Sequence, residues 1–203
     1  AAELFRTVKE IATITGGKLF GDSKPTSTIS GISIDSRHCK PGDLFVALPG
    51  EQADGHQFLT KAKMAGAKAA LVAQTNTQLD IPQIQVADTL NALRSVAVLG
   101  RKRFTGIQFG ITGSVGKTGS KDMLTHILSC FGNCHASQRS FNNHIGVPIT
   151  LASLPESADF SVQEMGMNAA GEIASLTKLV RPHIALITCI ADAHKAFFYS
   201  SSD

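Results

Sequence analysis

A chain of 203 residues with 43% hydrophobic side chains can bury one large core or two small ones, and 17% charged residues is an ordinary globular composition. The net charge of +3 comes from scattered lysines and arginines whose densest run is Arg101-Lys102-Arg103, too little for a nucleic-acid surface. No apolar run reaches the roughly eighteen residues of a membrane span, the N-terminus lacks signal-peptide order, and Cys39, Cys130, Cys134 and Cys189 form no disulfide framework, so a cytoplasmic protein with reduced thiols is expected.

Val8 to Thr15 reads as a short helix stopped by Gly16-Gly17, and GISIDSR (Gly31 to Arg37) as a strand with apolar Ile32 and Ile34. After a turn at Lys40-Pro41-Gly42-Asp43, LFVAL (Leu44 to Leu48) is a continuous apolar run of the kind buried in a sheet. Phe58 to Ala65 reads as a helix ended by Gly66, and AALVA (Ala69 to Ala73) as another buried strand. Polar Gln74 to Gln83 suits an interdomain crossing, which predicts a small α/β domain over residues 1–86 and a second domain over 87–203.

Asp88 to Arg103 reads as an amphipathic helix with Asp88 as N-cap and Leu90, Leu93, Ala97 and Leu99 on one face. A strand at Ile107 to Ile111, a glycine loop, and a helix at Lys121 to Phe131 follow, with Met123, Leu124, Ile127 and Leu128 as the expected buried side. Cys130, Cys134 and His135 match no standard zinc spacing and read as a helix end and a strand start. The strand Phe160 to Glu164, the helix Gly171 to Leu179 and the strand Ile184 to Ile190 continue the alternation. The fold class is α/β, with a parallel-sheet nucleotide-binding domain whose ligands gather beyond the carboxyl ends of its strands.

The loop in GITGSVGKTGSKDML (Gly110 to Leu124) joins a strand to a helix, so its backbone N–H groups and the helix dipole converge on an anion site. In the phosphate-loop pattern Gly113, Ser114, Val115, Gly116 and Gly119 wrap ATP phosphates, Lys117 reaches the terminal ones and Thr118 places its hydroxyl on Mg²⁺. The strict spelling asks for glycine where Ile111 stands. Glu164, at a strand's carboxyl end, suits Mg²⁺ or its water, although alone it serves equally as a capping or solvent-facing acid. His194 lies four residues past the last strand at the same sheet edge, and SFNNHIGVP (Ser140 to Pro148) suits substrate contacts or plain turns. The residues alone lead to a Mg-ATP enzyme with an added N-terminal domain.

Together, TGSVGKT, NNHIGVP, EMGMNAAGEI, RPHIALIT followed by Ala193-His194, and in the first domain SIDSR and KPGDLFVALPGEQADGHQF, resemble the Mur ligase family. EMGMNAAGEI and NNHIGVP look most like the members that add D-alanyl-D-alanine to UDP-N-acetylmuramoyl-tripeptide; the tripeptide-forming members share the first-domain motifs. The resemblance implies ATP-driven amide synthesis for peptidoglycan, through an acyl phosphate, by a cytoplasmic monomer. It implies that Lys117, Glu164 and His194 are catalytic and that Thr118, Glu164 and His194 organise magnesium. Asn142 and Asn143 would line the way to the muramoyl-peptide, and Asp35, Ser36 and Arg37 with Asp54 and His56 would hold the UDP-sugar, arginine gripping the diphosphate with its planar fork.

Three departures accompany the resemblance. Gly119 stands where the family usually has serine or threonine, and CIADAHKAFFYSSSD matches only loosely. The family's carbamylated lysine, remaining central strands and third domain would lie beyond Asp203, so the 203 residues are expected to be an inactive N-terminal portion. A non-catalytic nucleotide or UDP-sugar binding module and an unrelated phosphate-loop ATPase or kinase remain alternative readings.

Overall fold

The computed structural model describes residues 6–21, 27–50, 53–138 and 141–191. Its contacts separate two units that divide within one helix, between Val96 and Ala97. In the first unit β1 (Arg6–Thr7) runs straight into α1 (Val8–Thr15), where the Thr7 hydroxyl accepts the Glu10 N–H at 3.1 Å and Gly16 ends the helix in the left-handed region. There follow β2 (Lys18–Phe20), β3 (Thr28–Ile29), which pairs antiparallel with β1, and β4 (Gly31–Ser33). The unit continues through β5 (Asp43–Val46), a 3₁₀ turn (Gly55–Phe58), α2 (Leu59–Met64), β6 (Ala69–Val72) and β7 (Gln83–Gln85).

The sheet order is β2-β7-β6-β5-β4, parallel from β4 to β7, with β2 antiparallel at one edge. Phe45 and Ala47 join Cys39, Leu59, Ala62, Ala70 and Val72 in one core cluster. Alternation turns Leu44 and Val46 to the opposite face, and both are fully buried. Cover on both faces is why this strand reads as an unbroken apolar run.

Two expectations for this unit change. The strand at Gly31 stops at Ser33 because the Ser33 hydroxyl donates to the Asp35 carbonyl at 2.9 Å and folds Asp35 to Arg37 into a turn. Gln74 to Gln83, expected as a crossing between domains, is instead a loop inside the unit that ends as Gln83 opens β7. Gln83 is buried within the sheet, and its amide clasps the Asn76 N–H and carbonyl, each at 2.8 Å, so its polarity is satisfied without solvent.

The helix α3 (Thr89–Arg103) starts where Asp88 accepts the Leu90 and Asn91 N–H groups at 2.8 and 3.0 Å. Its buried stripe is Ala92, Leu93, Val96 and Ala97, with Leu90 and Leu99 only half-buried. The second unit then runs β8 (Ile107–Thr112), α4 (Lys117–Leu128), β9 (Cys134–Ala136), α5 (Gly146–Ala152), β10 (Phe160–Glu164), α6 (Glu172–Val180) and β11 (Ile184–Ile187). All four strands are parallel in the order β11-β8-β10-β9. The chain leaves β8 toward β9 but leaves β10 back across to β11, so the carboxyl ends of β8 and β10 lie where the connections diverge, the usual place for a ligand in such sheets.

The helix after the glycine loop begins at Lys117, not Lys121, and ends at Leu128. Its buried side also differs: Met123 and Ile127 are 68% and 48% exposed, whereas Lys121 is 2% exposed. The face toward the sheet carries Lys121, Leu124, Thr125 and Leu128, which share a helical stripe that hydrophobicity alone assigns wrongly. Gly146 to Pro148, read as the end of a loop, opens the buried helix α5, started by the Asn143 side chain, which accepts the Ile145 and Gly146 N–H groups at 3.1 and 2.8 Å. The strand β11 stops at Ile187 and lies exposed at the sheet edge. Among the described residues no helix is long and apolar enough to cross a membrane.

Candidate functional site

In the second unit β8 ends at Thr112, and the chain turns through Gly113 to Gly116 into α4. Ile111, which occupies the glycine position of the strict pattern, is a fully buried strand residue paired with Glu164 and Leu186. The turn itself falls to Gly113, at φ 134°, where a Cβ would run into the Thr188 hydroxyl and the Cys189 carbonyl. Gly116 caps α4 without a side-chain acceptor, and no acidic residue stands in the first turn. The N–H groups of Lys117, Thr118 and Gly119 therefore lack helical acceptors and face outward with the positive end of the helix dipole.

The segment after β11 holds this loop. The Thr188 hydroxyl donates to the Val115 carbonyl at 2.6 Å, the Ser114 N–H to the Cys189 carbonyl at 2.9 Å, and Ser114 Oγ bonds both the Ala191 carbonyl and N–H at 3.0 Å. Ser114 is thus committed to the loop's own architecture, while Lys117 folds back to donate to the Gly113 carbonyl at 2.6 Å.

The Glu164 side chain, 1% exposed, closes the site from β10. The Thr118 hydroxyl donates to Oε2 at 2.9 Å and the Asn142 amide donates to Oε1 at 2.8 Å. Asn142 is itself fixed by its carbonyl, which accepts the Gly166 N–H at 2.7 Å, and a Cβ on Gly166 would press into the Asn142 amide. The structure therefore brings Thr118 and Asn142 together on the buried Glu164 carboxylate, each as a neutral donor. Asn143 stands beside them, its side-chain carbonyl occupied in capping α5. His194 lies outside the described residues.

In the first unit, Asp35 to Arg37, Asp54 and His56 follow the carboxyl ends of β4 and β5. Asp35 accepts the Arg37 N–H at 2.9 Å and the Arg37 Nη2 at 2.7 Å, and this guanidinium holds its carboxyl well below the usual carboxylate range. The Arg37 side chain is 81% exposed, so the acid holds it pointing to solvent. Ser36 is buried between them in sequence. Asp54 caps the 3₁₀ turn through the His56 N–H at 3.0 Å, which lowers its pKa. His56 Nε2 accepts the Ala73 and Gln74 N–H groups at 2.9 and 3.3 Å, so the ring proton sits on Nδ1, 2.6 Å from Asp54. Both ring nitrogens are engaged in joining the turn to the end of β6.

Three contributors are absent from the sequence expectation: Thr188, which anchors the loop, and Lys121 and Ser137 beneath Glu164. Lys121 carries one positional signal, falling four residues after Lys117 and three after Thr118 on the same helix.

The family model "Mur ligase family, catalytic domain" matches residues 28–99, and "Mur ligase middle domain" matches residues 111–203. The UDP-N-acetylmuramoyl-tripeptide–D-alanyl-D-alanine ligase of Synechocystis sp. is 44% identical over 168 residues, covering 82% of this chain and 37% of that protein. A crystal structure of MurF from Acinetobacter baumannii superposes with a TM-score of 0.85 at 34% identity, covering 100% of this chain and 45% of that one. MurF from Thermotoga maritima, solved in complex with ADP, gives a TM-score of 0.70 at 28% identity, covering 85% of this chain and 40% of that one. The chain thus spans between 37% and 45% of the lengths of these relatives. With both domain models in sequence along it and these likenesses in sequence and structure, the chain belongs to the Mur ligase family.

Proposed function

We propose that this chain supplies the nucleotide and UDP-sugar sites of an ATP-dependent ligase that adds D-alanyl-D-alanine to UDP-N-acetylmuramoyl-tripeptide. The observation that carries it is the convergence of the glycine loop, the Thr118 hydroxyl and the buried Glu164 carboxylate at the ends of β8 and β10. The activity named for the Synechocystis relative and the ADP in the Thermotoga structure support the substrate and nucleotide. In this reading residues 87–203 form the ATP domain and residues 1–86 the UDP-muramoyl-peptide domain, the boundary falling just ahead of the helix within which the two units divide.

In this reading the tripeptide carboxylate attacks the γ-phosphorus, ADP leaves, and the dipeptide amine displaces phosphate from the acyl phosphate to form the amide. Lys117 turns from the Gly113 carbonyl to the terminal phosphates, and the N–H groups of Val115 to Gly119 face their oxygens. Glu164, Thr118 and His194 offer oxygen and imidazole donors, and the enclosed carboxylate with neutral partners fits Mg²⁺, which when bound offsets charge on the phosphoryl oxygens. Asn142 steadies Glu164 from the side, and Asn143, through α5, shapes the mouth toward the muramoyl-peptide. Arg37, held outward by Asp35, presents its remaining donors to the UDP diphosphate, with Ser36, Asp54 and His56 forming the surrounding turns. The test is phosphate release by the protein in its complete natural length, which should require both the UDP-muramoyl-tripeptide and D-alanyl-D-alanine and be lost in Lys117→Ala. Release that is equal with and without the dipeptide would overturn the assignment.

A further inference from the structure

A lysine ammonium is rarely enclosed unless it is bonded, and Lys121 is 2% exposed in the second turn of α4. Its Nζ donates to the Ser137 carbonyl at 2.9 Å. It also lies 3.2 Å from Asp122, but that carboxylate is exposed and such surface pairs contribute little. The informative partner is therefore Ser137, which is buried just past β9.

Ser137 passes the contact on. Its N–H donates to the Val162 carbonyl at 3.1 Å, its Oγ accepts the Glu164 N–H at 3.1 Å, and it donates to the Gln163 side chain at 3.4 Å. Every polar group of this serine thus faces either Lys121 or the last three residues of β10. The Thr118 hydroxyl on Glu164, at 2.9 Å, closes a ring that runs from Thr118 along α4 to Lys121, across to Ser137, to the Glu164 backbone, and out along its side chain. Among the described residues, α4 is tied to the end of β10 by the Thr118 hydroxyl on Glu164 and by the Lys121 ammonium acting through Ser137. When Thr118 gives its hydroxyl to another ligand, the link through Lys121 persists.

We propose that Lys121 is a positioning residue for the pair Thr118 and Glu164: its ammonium, held on the Ser137 carbonyl, fixes how far the hydroxyl stands from the carboxylate. The inference rests on the reading that this pair receives Mg²⁺ with the nucleotide. Groups one step removed from a metal's ligands typically change affinity about 10- to 100-fold when lost.

The experiment uses the whole 203-residue chain and calorimetric titration with ADP across a series of Mg²⁺ concentrations, alongside thermal melts. Lys121→Met keeps the aliphatic stem and removes the ammonium. It should raise the Mg²⁺ needed for half-maximal ADP binding about tenfold or more, while ADP binding without metal moves less than about twofold, since the loop amides and Lys117 are untouched. Ser137→Ala keeps the carbonyl but frees the Glu164 N–H, and should shift the Mg²⁺ midpoint in the same direction. A folded Lys121→Met protein with an unchanged midpoint overturns the proposal, because a merely structural lysine would lower the melting temperature and leave metal dependence alone. If Lys121→Met does not fold, an unchanged midpoint in Ser137→Ala overturns it instead. Unmodified chain that binds ADP with no Mg²⁺ dependence overturns the underlying metal assignment, a result distinct from failure of the lysine's role.

Discussion

Glu164→Gln should separate folding from metal binding. The carboxylate is 1% exposed and accepts hydrogen bonds from Asn142 at 2.8 Å and Thr118 at 2.9 Å. A glutamine oxygen can keep the Asn142 bond, and the Thr118 hydroxyl can rotate to accept from the new amide. Bonds to a charged acceptor contribute about 1.5–3 kcal/mol and neutral ones about 1 kcal/mol, so the two together weaken by about 2 kcal/mol. Removing an enclosed charge returns several kcal/mol of desolvation, which offsets or exceeds that loss. Because about 1 kcal/mol moves the melting temperature of a domain this size by about 4–8 °C, the variant should melt where the parent does or up to about 10 °C higher. Loss of a full negative charge should weaken Mg²⁺-dependent nucleotide binding at least tenfold, or about 1.4 kcal/mol. Thermal melts and calorimetry with Mg-ADP read both quantities. A folded variant with unaltered metal dependence refutes the reasoning, and a melting temperature lowered by more than about 10 °C refutes the exchange of hydrogen bonds.

Three further outcomes are expected. Gly119 sits in the first turns of α4 with nothing within 4 Å of an added Cβ, so Gly119→Ala should stabilise by about 1 kcal/mol without loss of nucleotide affinity; a lower melting temperature contradicts this. His56→Ala leaves the Ala73 and Gln74 N–H groups without their acceptor and should cost about 1–3 kcal/mol in denaturant unfolding, whereas a change below about 0.5 kcal/mol would show that water replaces the ring. Burial pushes the His135 imidazole below the usual histidine range despite its bond to the Thr150 carbonyl at 3.0 Å. Its contribution is complete above the unfolded value of about 6.5 and is lost as pH falls toward the folded value, with a slope of at most about 1.4 kcal/mol per pH unit. His135→Gln should flatten the fall in melting temperature below about pH 6.5, and an unchanged profile contradicts the assignment.

Elements whose stability follows their own periodicity were legible in the sequence. The helix Val8–Thr15 carries its cap and its glycine stop locally, and β5 is an apolar run because both its faces are covered. Residues whose burial depends on distant partners were not. Lys121, Gln83 and Ser137 carry no local signal of burial, yet each is buried with its polar atoms bonded across the fold. The short helix α5 is started by an asparagine within a stretch that also fits a loop. At the candidate site, the positions of Thr118 and Glu164 were legible because a glycine turn and a strand end leave local signatures, whereas Asn142, expected beside the muramoyl-peptide, bonds Glu164. The hydroxyls that hold these groups meet their partners 27 residues away for Ser137 and 73 residues away for Thr188, and nothing local in the sequence marks such pairings.

The most direct test is a crystal structure of the chain with a non-hydrolysable ATP analogue and Mn²⁺, collected for anomalous scattering. The account predicts the β- and γ-phosphates over the N–H groups of Val115 to Gly119, Lys117 turned onto them, and an anomalous peak within ligand distance of the Thr118 hydroxyl and reached by Glu164 directly or through water. A nucleotide bound away from the Gly113–Gly116 turn, or a metal peak that neither Thr118 nor Glu164 approaches, would contradict it.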